Sequence, residues 1–446
     1  MSSTSSEPCL ALVDCNNFYV SCERVFRPDL AQVPVAVLSN NDGCVIARSE
    51  EVKQLGVAMG TPYFQCGPEL RRAGAVVFSS NYPLYGDFSQ RVMQTLEAQC
   101  PRVERYSIDE AFVEIPGSEQ TEREAFAQQL RERVLRDTGI PVSIGLAPTK
   151  VLAKLANRQA KRRKEAAGIW SMPEDLETRQ QQLSVTPLTD VWGIGRRWAR
   201  RLETEGWQNA ADLAAADPAM IRLVANVVLQ RIALELRGEP CLSLEETSPP
   251  PRSLVRSRSF GQPLYQLTEL RPALGRYLQR GWEHLRRHHL RTSGIQVFLH
   301  TSRFHREVRY FGSRQAVIEP TDDLWELQRC AFALLEQAYR SGVAYTRCGV
   351  MLFGLEPDQP SWNMDTAWQP RAELQQAITG LQQRWGRNVL QLAHALTAAK
   401  GLPLQQHRSP RYTTQWSELA IVGKRSYDTT GSEIISLSVW LGSFIN

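Results

Sequence analysis

No run of about 18 uncharged apolar residues occurs anywhere in this chain, so nothing in it has the length a bilayer-spanning helix needs. Cysteine is sparse and unpaired in pattern: nine residues, an odd number, are scattered from Cys9 to Cys348 without one C-x-x-C. That distribution argues against a disulfide framework and against a zinc site, and it fits a reducing cytoplasm. The first residues, MSSTSSEPC, lack the basic and apolar regions of a secretory leader. Internal repeats are absent too.

What is present is a globular composition. The 446 residues are 42% apolar and 22% charged, enough for roughly two to four domains. A formal net charge of +5 says little by itself; the placement of the basic residues says more.

Leu10 to Val13 is a short buried-type strand that ends on Asp14. Further strands are expected at Val33 to Leu38 and Ala75 to Ser79, with a helix from Glu50 to Leu55 closed by Gly56. Residues 103–115, VERYSIDEAFVEI, alternate around Ser107 to Glu110 like two strands of a hairpin with both acids at its tip. A helix over Thr121 to Arg136, a strand over Val142 to Ala147 and a basic helix opened by Pro148-Thr149 follow. This order predicts an α+β fold with a ferredoxin-like sheet, interrupted between residues 22 and 79 by an insertion. Residues 183–238 read as helical around a Gly193-Ile194-Gly195 turn. The segment EETSPPPR, 245–252, is the clearest interdomain linker because three prolines cannot continue a helix. An α/β segment runs from Ser253 to about Leu355, and a Gln-rich, weakly patterned helical region lies beyond Pro357.

Chemistry concentrates on the acids. Asp14 at a strand end, with Asp109 and Glu110 at a hairpin tip, can converge on one sheet edge and present the oxygen ligands that Mg²⁺ requires. Two such ions can activate a hydroxyl and stabilise a leaving pyrophosphate. Taken alone, an Asp-Glu pair in a hairpin is more often a solvated turn.

It is not alone. LVDCNNFYVSCE, SNNDGCVIARS, FSSNYPLYGDFSQRVM, PRVERYSIDEAF and APTKVLAKLANRQAK occur in this order, and together they resemble the Y-family of translesion DNA polymerases, in its UmuC branch. The resemblance implies a right-hand polymerase: palm 1–22 and 80–180, fingers 23–79, helical thumb with a helix-hairpin-helix 181–244, linker 245–252, α/β little finger 253–356, and a C-terminal partner-binding region and tail 357–446. It implies error-prone synthesis across damaged bases in the SOS response, using two Mg²⁺ ions and dNTPs. Asp14, Asp109 and Glu110 are its catalytic metal ligands, assisted by the Cys15 carbonyl. Phe18 and Tyr19 fall where the family selects the sugar; a ring beneath C2′ leaves no room for a 2′-hydroxyl, which makes Tyr19 the steric gate.

Arg48, Lys53 and Lys161 are the expected triphosphate contacts. Lys53 departs from a common arginine of the wider family, and Glu50 stands where a phosphate-contacting tyrosine often sits. Gly193 and Gly195, followed by Arg196, Arg197, Arg200 and Arg201, resemble a hairpin that offers backbone N–H groups to a DNA phosphate. Residues 252–314 carry thirteen arginines, no lysine and three glutamates, an excess of ten positive charges that marks a nucleic-acid footprint. Within it, Arg256 and Arg258 should share one strand face and contact DNA.

The resemblance also implies partners: primer-template DNA, a processed UmuD-type dimer, a RecA filament and the sliding clamp, with no membrane and a cytoplasmic, nucleoid-associated location. Gln359 to Met364 is the candidate clamp peptide, although it lacks the leucine and phenylalanine of that pattern. SPRYTTQWSEL, 409–419, resembles the usual end of UmuC proteins; residues 423–446 have no physical account. Two other readings stay open: a catalytically silent DNA-binding scaffold, and a ferredoxin-like nucleotide cyclase.

Overall fold

The computed structural model describes residues 9–245, 251–302, 309–358, 372–385, 389–390 and 404–419. Residues 246–250 of the linker, the 359–364 peptide, Arg303, Arg306 and the 423–446 tail lie outside them. The chain divides into two compact units, one formed by Met1–Leu38, Cys44–Ser248 and His407–Asn446, the other by Ser39–Gly43 and Pro249–Gln406.

In the first unit, β1 (Cys9–Cys15) leads into α1 (Phe18–Phe26). Strands β2 (Val35–Leu38), β3 (Val45–Arg48) and β4 (Val76–Ser79) enclose α2 (Glu50–Gln54) and α3 (Tyr63–Arg72). Next come α4 (Tyr82–Gln99), β5 (Val103–Arg105), β6 (Glu110–Ile115), α5 (Gln120–Thr138), β7 (Val142–Ala147), α6 (Lys150–Arg162) and β8 (Ile169–Ser171). Five helices finish the unit: α7 (Leu176–Ser184), α8 (Arg196–Thr204), α9 (Ala210–Ala215), α10 (Pro218–Val224) and α11 (Val227–Arg237).

β1 is the centre of a sheet ordered β5-β6-β1-β7-β8, antiparallel to both neighbours. With α4 and α5 it reproduces the β-α-β-β-α-β order of a ferredoxin-like sheet, and β8 adds a parallel edge. Ala11, Val13 and Cys15 enter a core shared with α1, α4 and α5. Leu10 and Leu12 enter a second core, built with α6 and the later helices. Burial on both faces is why β1 reads as an unbroken apolar run rather than an alternating one.

The insertion forms its own mixed sheet, β3-β2-β4, over a small core of Ala36, Leu38, Val45, Val52 and Leu70. The strands expected at Val33 and Ala75 begin at Val35 and Val76. β3 has no counterpart in the sequence reading; four residues between SNNDGC and Ser49 are too short for periodicity to register.

The second unit contains β9 (Ser253–Leu264), α12 (Leu267–Arg287), β10 (Leu290–Thr301), β11 (Phe311–Thr321), α13 (Leu324–Ala338), β12 (Tyr345–Pro357) and α14 (Ala372–Trp385). Its antiparallel sheet runs β11-β10-β12-β9. One face carries α12 and α13 over a core centred on Trp282, whose Nε1 donates to the Asp322 carbonyl at 2.8 Å and to Gln375 Oε1 at 3.1 Å. Among the described residues no helix is long and apolar enough to cross a membrane.

Candidate active site

Antiparallel register sets Asp14 opposite Glu110. The Cys15 amide donates to the Asp109 carbonyl at 2.8 Å, so all three acids sit where β1 ends and the β5–β6 hairpin turns. Side-chain alternation puts Asp14 and Glu110 on the sheet face covered by α6. Asp109 is held by the turn itself: Ser107 Oγ donates to its Oδ1 at 2.6 Å and accepts from the amides of Asp109 at 3.2 Å and Glu110 at 3.0 Å.

α6 lies close because Gly145 permits it. A Cβ there would stand 2.0 Å from the Asn157 nitrogen. Buried Asn157 in turn donates to the carbonyls of Leu12 at 3.1 Å and Ser143 at 2.7 Å, tying α6 to β1 and β7 beneath the acids. Two lysines on α6 then reach them: Lys161 Nζ lies 2.5 Å from Asp14 Oδ1, and Lys154 Nζ 2.9 Å from Glu110 Oε2.

Burial pushes the Asp14 carboxyl up to about 7 against the pull of Lys161, and its hydrogen bond with Glu110 adds to the rise. Burial also pushes Glu110 upward, but the hydrogen bond from Asp14 and the charges of Lys154 and Lys161 outweigh it, holding Glu110 below the usual range. Two carboxylates this close cannot both ionise freely. A divalent cation held between them would relieve the repulsion. The donors are oxygen throughout, which suits a hard ion such as Mg²⁺. Among the described residues, no three His, Cys, Asp or Glu side chains stand grouped as a ready-made metal cluster; Asp109 faces Ser107 instead of joining the pair.

Tyr19 follows on the first turn of α1. Its ring stacks on Tyr85, centroids 4.4 Å apart and planes at 14°, and meets Tyr82 edge-on at 6.1 Å. Half-burial lifts its hydroxyl to about 12, with Tyr82 and the Asp109 charge adding to the rise. Phe18 is core: it is buried and packs at 5.7 Å from Tyr19.

The other phosphate candidates are engaged elsewhere. Arg48 donates to the Val57 carbonyl, and Lys53 pairs with Glu50 at 2.7 Å; neither meets the three acids among the described contacts. Lys154 was missed in the sequence. Its signal was legible, since Lys154, Asn157 and Lys161 recur at helical spacing on one face. Lys154 also lies over the Tyr106 ring at 4.3 Å and the Trp192 ring at 5.4 Å, and Trp192 Nε1 donates to the Tyr106 hydroxyl at 3.1 Å. The Gly193 turn is thereby keyed to the acid-bearing hairpin.

Gly193 has φ +88°, and Gly195 caps α8 without a side-chain bond; Arg196 is exposed beside them. In the second unit, Arg256 and Arg258 do share a face, but it is the one that carries buried Leu254 and Phe260. The Arg256 stem lies 3.8 Å from where a Cβ on Gly281 of α12 would be. The opposite face bears Ser253, Val255, Ser257 and Ser259, with Arg347 donating to Ser257 Oγ at 2.8 Å. The excess of ten charges also shrinks, because later acids fold back onto the arginines: Glu336 onto Arg271, Asp322 onto Arg286 and Asp358 onto Arg291.

Comparison with known proteins agrees with this architecture. Residues 13–158 match the impB/mucB/samB family, 251–364 its C-terminal domain, and 372–422 a domain of unknown function (DUF4113). UmuC of Salmonella typhimurium is 42% identical over 92% of this chain and 99% of its own length. SamB of the same organism is 39% identical over 92% and 98%. DNA polymerase IV of Brucella melitensis is 27% identical over 88% and 86%. Among solved structures, a chimera of the Y-family polymerases Dbh and Dpo4 superposes with TM-score 0.66 over 78% of this chain and 99% of that one, at 21% identity.

Fold and site together define a right-hand polymerase with a ferredoxin-like palm. The chain belongs to the impB/mucB/samB family, the UmuC-like branch of the Y-family translesion DNA polymerases. Enzymes of that family are nucleotidyltransferases that use divalent metal ions and dNTPs.

Proposed function

We propose that this chain extends a DNA primer across damaged template through Asp14, Asp109 and Glu110. The observation that carries the reading is the register that sets Asp14 opposite Glu110, with Asp109 bonded to Cys15 beside them. The three carboxylates and the Cys15 carbonyl would hold two Mg²⁺ ions, which supply activation of the primer hydroxyl and neutralisation of the triphosphate. Lys161 and Lys154 set the charge around the acids. Lys161 is the principal protein contact for the incoming triphosphate; Lys53 and Arg48 serve it after exchanging Glu50 and the Val57 carbonyl for phosphate oxygens. Tyr19, backed by Tyr85, excludes the 2′-hydroxyl.

In this reading residues 1–22 and 80–180 are palm, 23–79 fingers, 181–244 thumb, 245–252 linker, 253–356 little finger and 357–446 a partner-binding region. Gly193, Gly195 and Arg196 take a phosphate of the primer-template. Arg256 and Arg258, half-buried on one face of the little-finger sheet, reach the DNA backbone with their guanidinium ends. A processed UmuD-type dimer, a RecA filament and the sliding clamp are its partners in the cytoplasm, at the nucleoid. Deleting 359–364 should abolish clamp pull-down, and undiminished binding would exclude that peptide.

The deciding assay is primer extension with Mg²⁺ and dNTPs. Asp109→Ala with Glu110→Ala should reduce it by at least about 10³-fold while DNA binding persists. Extension that survives the double change would overturn the assignment and favour a non-catalytic DNA-binding role.

A further inference from the structure

A carboxyl group sits inside the protein where, among the described residues, no ion partners it. Glu23 on α1 is 1% exposed. Its Oε1 accepts from the Tyr85 hydroxyl at 2.6 Å and from the Ser409 hydroxyl at 3.0 Å, while Oε2 has no partner among the described residues. Burial raises Glu23 to about 7 against both hydrogen bonds.

Ser409 belongs to a segment that docks on the first unit from the far end of the chain. The Ser79 amide donates to the His407 carbonyl at 3.0 Å, and the His407 amide donates to Ser79 Oγ at 3.0 Å. Asn81 Nδ2 donates to the Ser409 carbonyl at 3.1 Å, to Ser409 Oγ at 2.9 Å and to the Pro410 carbonyl at 3.1 Å. Tyr412 stacks on Phe26 with centroids 4.3 Å apart and planes at 15°. Arg411 and Glu418 close the segment upon itself through a side-chain pair and a backbone bond of 2.6 Å.

The contacts converge on the sugar gate. Glu23 lies one helical turn beyond Tyr19 on α1, and Tyr85 faces both: its hydroxyl is pinned by Glu23 while its ring stacks under Tyr19. We propose that the segment His407–Leu419 is a positioning element for sugar selection, in which Ser409 anchors Glu23, Glu23 anchors Tyr85, and Tyr85 fixes the plane of the Tyr19 ring. The proposal rests on the reading of Tyr19 as the gate. It gives a role to the last described part of a domain whose function is unassigned. The physical reason is economy of freedom: a ring that stacks on a tethered ring has less room to tilt and admit an extra hydroxyl.

The test is steady-state insertion of one dNTP and its matching rNTP by the full chain, wild type against Tyr19→Ala, Ser409→Ala, Glu23→Ala and Glu23→Gln. Loss of the Ser409–Glu23 hydrogen bond, common to both changes, should lower the dNTP-to-rNTP ratio of kcat/KM by about 2–10-fold in Ser409→Ala and Glu23→Ala. For Ser409→Ala, dNTP insertion itself should stay within about twofold of wild type, because the segment touches no reacting group. Glu23→Gln keeps an acceptor for both hydroxyls and should restore the ratio. A simple loss of stability would depress both substrates alike. If Tyr19→Ala leaves selectivity unaltered, the gate reading fails. If Tyr19→Ala relaxes selectivity while Ser409→Ala, folded by circular dichroism, keeps the wild-type ratio, the gate stands and the positioning role is overturned. Ser409→Ala also decides the matter should Glu23→Ala not fold.

Discussion

The Lys161 ammonium stands 2.5 Å from the Asp14 carboxylate, so one cation answers both the buried acid and, in the proposed function, the triphosphate. Lys161→Ala should therefore raise KM for the nucleotide by about tenfold, the weight of one charge-assisted contact. Lys161→Arg should recover part of it. Single-nucleotide kinetics measure both, and an unchanged KM would remove Lys161 from the nucleotide site.

In the proposed function Lys154 acts on the acid rather than on the substrate, through its 2.9 Å pair with Glu110. Lys154→Ala should lower kcat by roughly tenfold while leaving KM near the wild-type value. A change confined to KM would show instead that Lys154 binds nucleotide.

In the proposed function the Tyr19 ring does the excluding, since its described contacts are ring contacts with Phe18, Tyr82 and Tyr85. Tyr19→Phe should hold sugar selectivity within about twofold of wild type. A large rise in ribonucleotide insertion by Tyr19→Phe would shift the discrimination to the hydroxyl.

Glu23 predicts a pH dependence of stability. Its proton is released near 4.5 in the unfolded chain and near 7 in the folded one. Between those values only the folded state binds the proton, so stability should fall as pH rises through the window, by roughly 3 kcal/mol. Glu23→Gln removes the titration. Denaturant midpoints at about pH 5 and about pH 7.5 should then differ less for the variant than for wild type; parallel falls would assign the effect to other groups.

Gly193 holds φ +88°, and a Cβ there would stand 2.6 Å from Ile232 Cδ1. Gly193→Ala should cost roughly 1–3 kcal/mol in stability and weaken DNA binding by displacing the turn. Unaltered denaturation would mean that the turn adapts freely.

Much of the site was legible before folding. Asp14 follows an apolar run, the Ser107 to Glu110 turn separates two alternating strands, and both signals are local. The ferredoxin-like order emerged from the same cues. Lys154 could have been found, because its spacing to Lys161 is a helical repeat. The arginines illustrate the limit: counting charge over 252–314 suggested an open basic surface, yet Arg271, Arg286 and Arg291 are paired with acids that lie beyond that window. Alternation correctly put Arg256 and Arg258 together, but period alone cannot say which face of a strand a helix will cover.

The sequence by itself determined the ferredoxin-like order of the main sheet and the placing of the acids at a strand end and a hairpin tip, because these rest on residue type and short-range spacing. The family followed from the resemblance of five motifs. Tertiary structure alone decided which carboxylates face each other, which lysines answer them, which arginines are paired, and that Ser409 reaches Glu23. Those are contacts between residues tens to hundreds of positions apart. Their geometry is set by close packing and by the need to pair buried polar groups, and neither leaves a periodic trace along the chain.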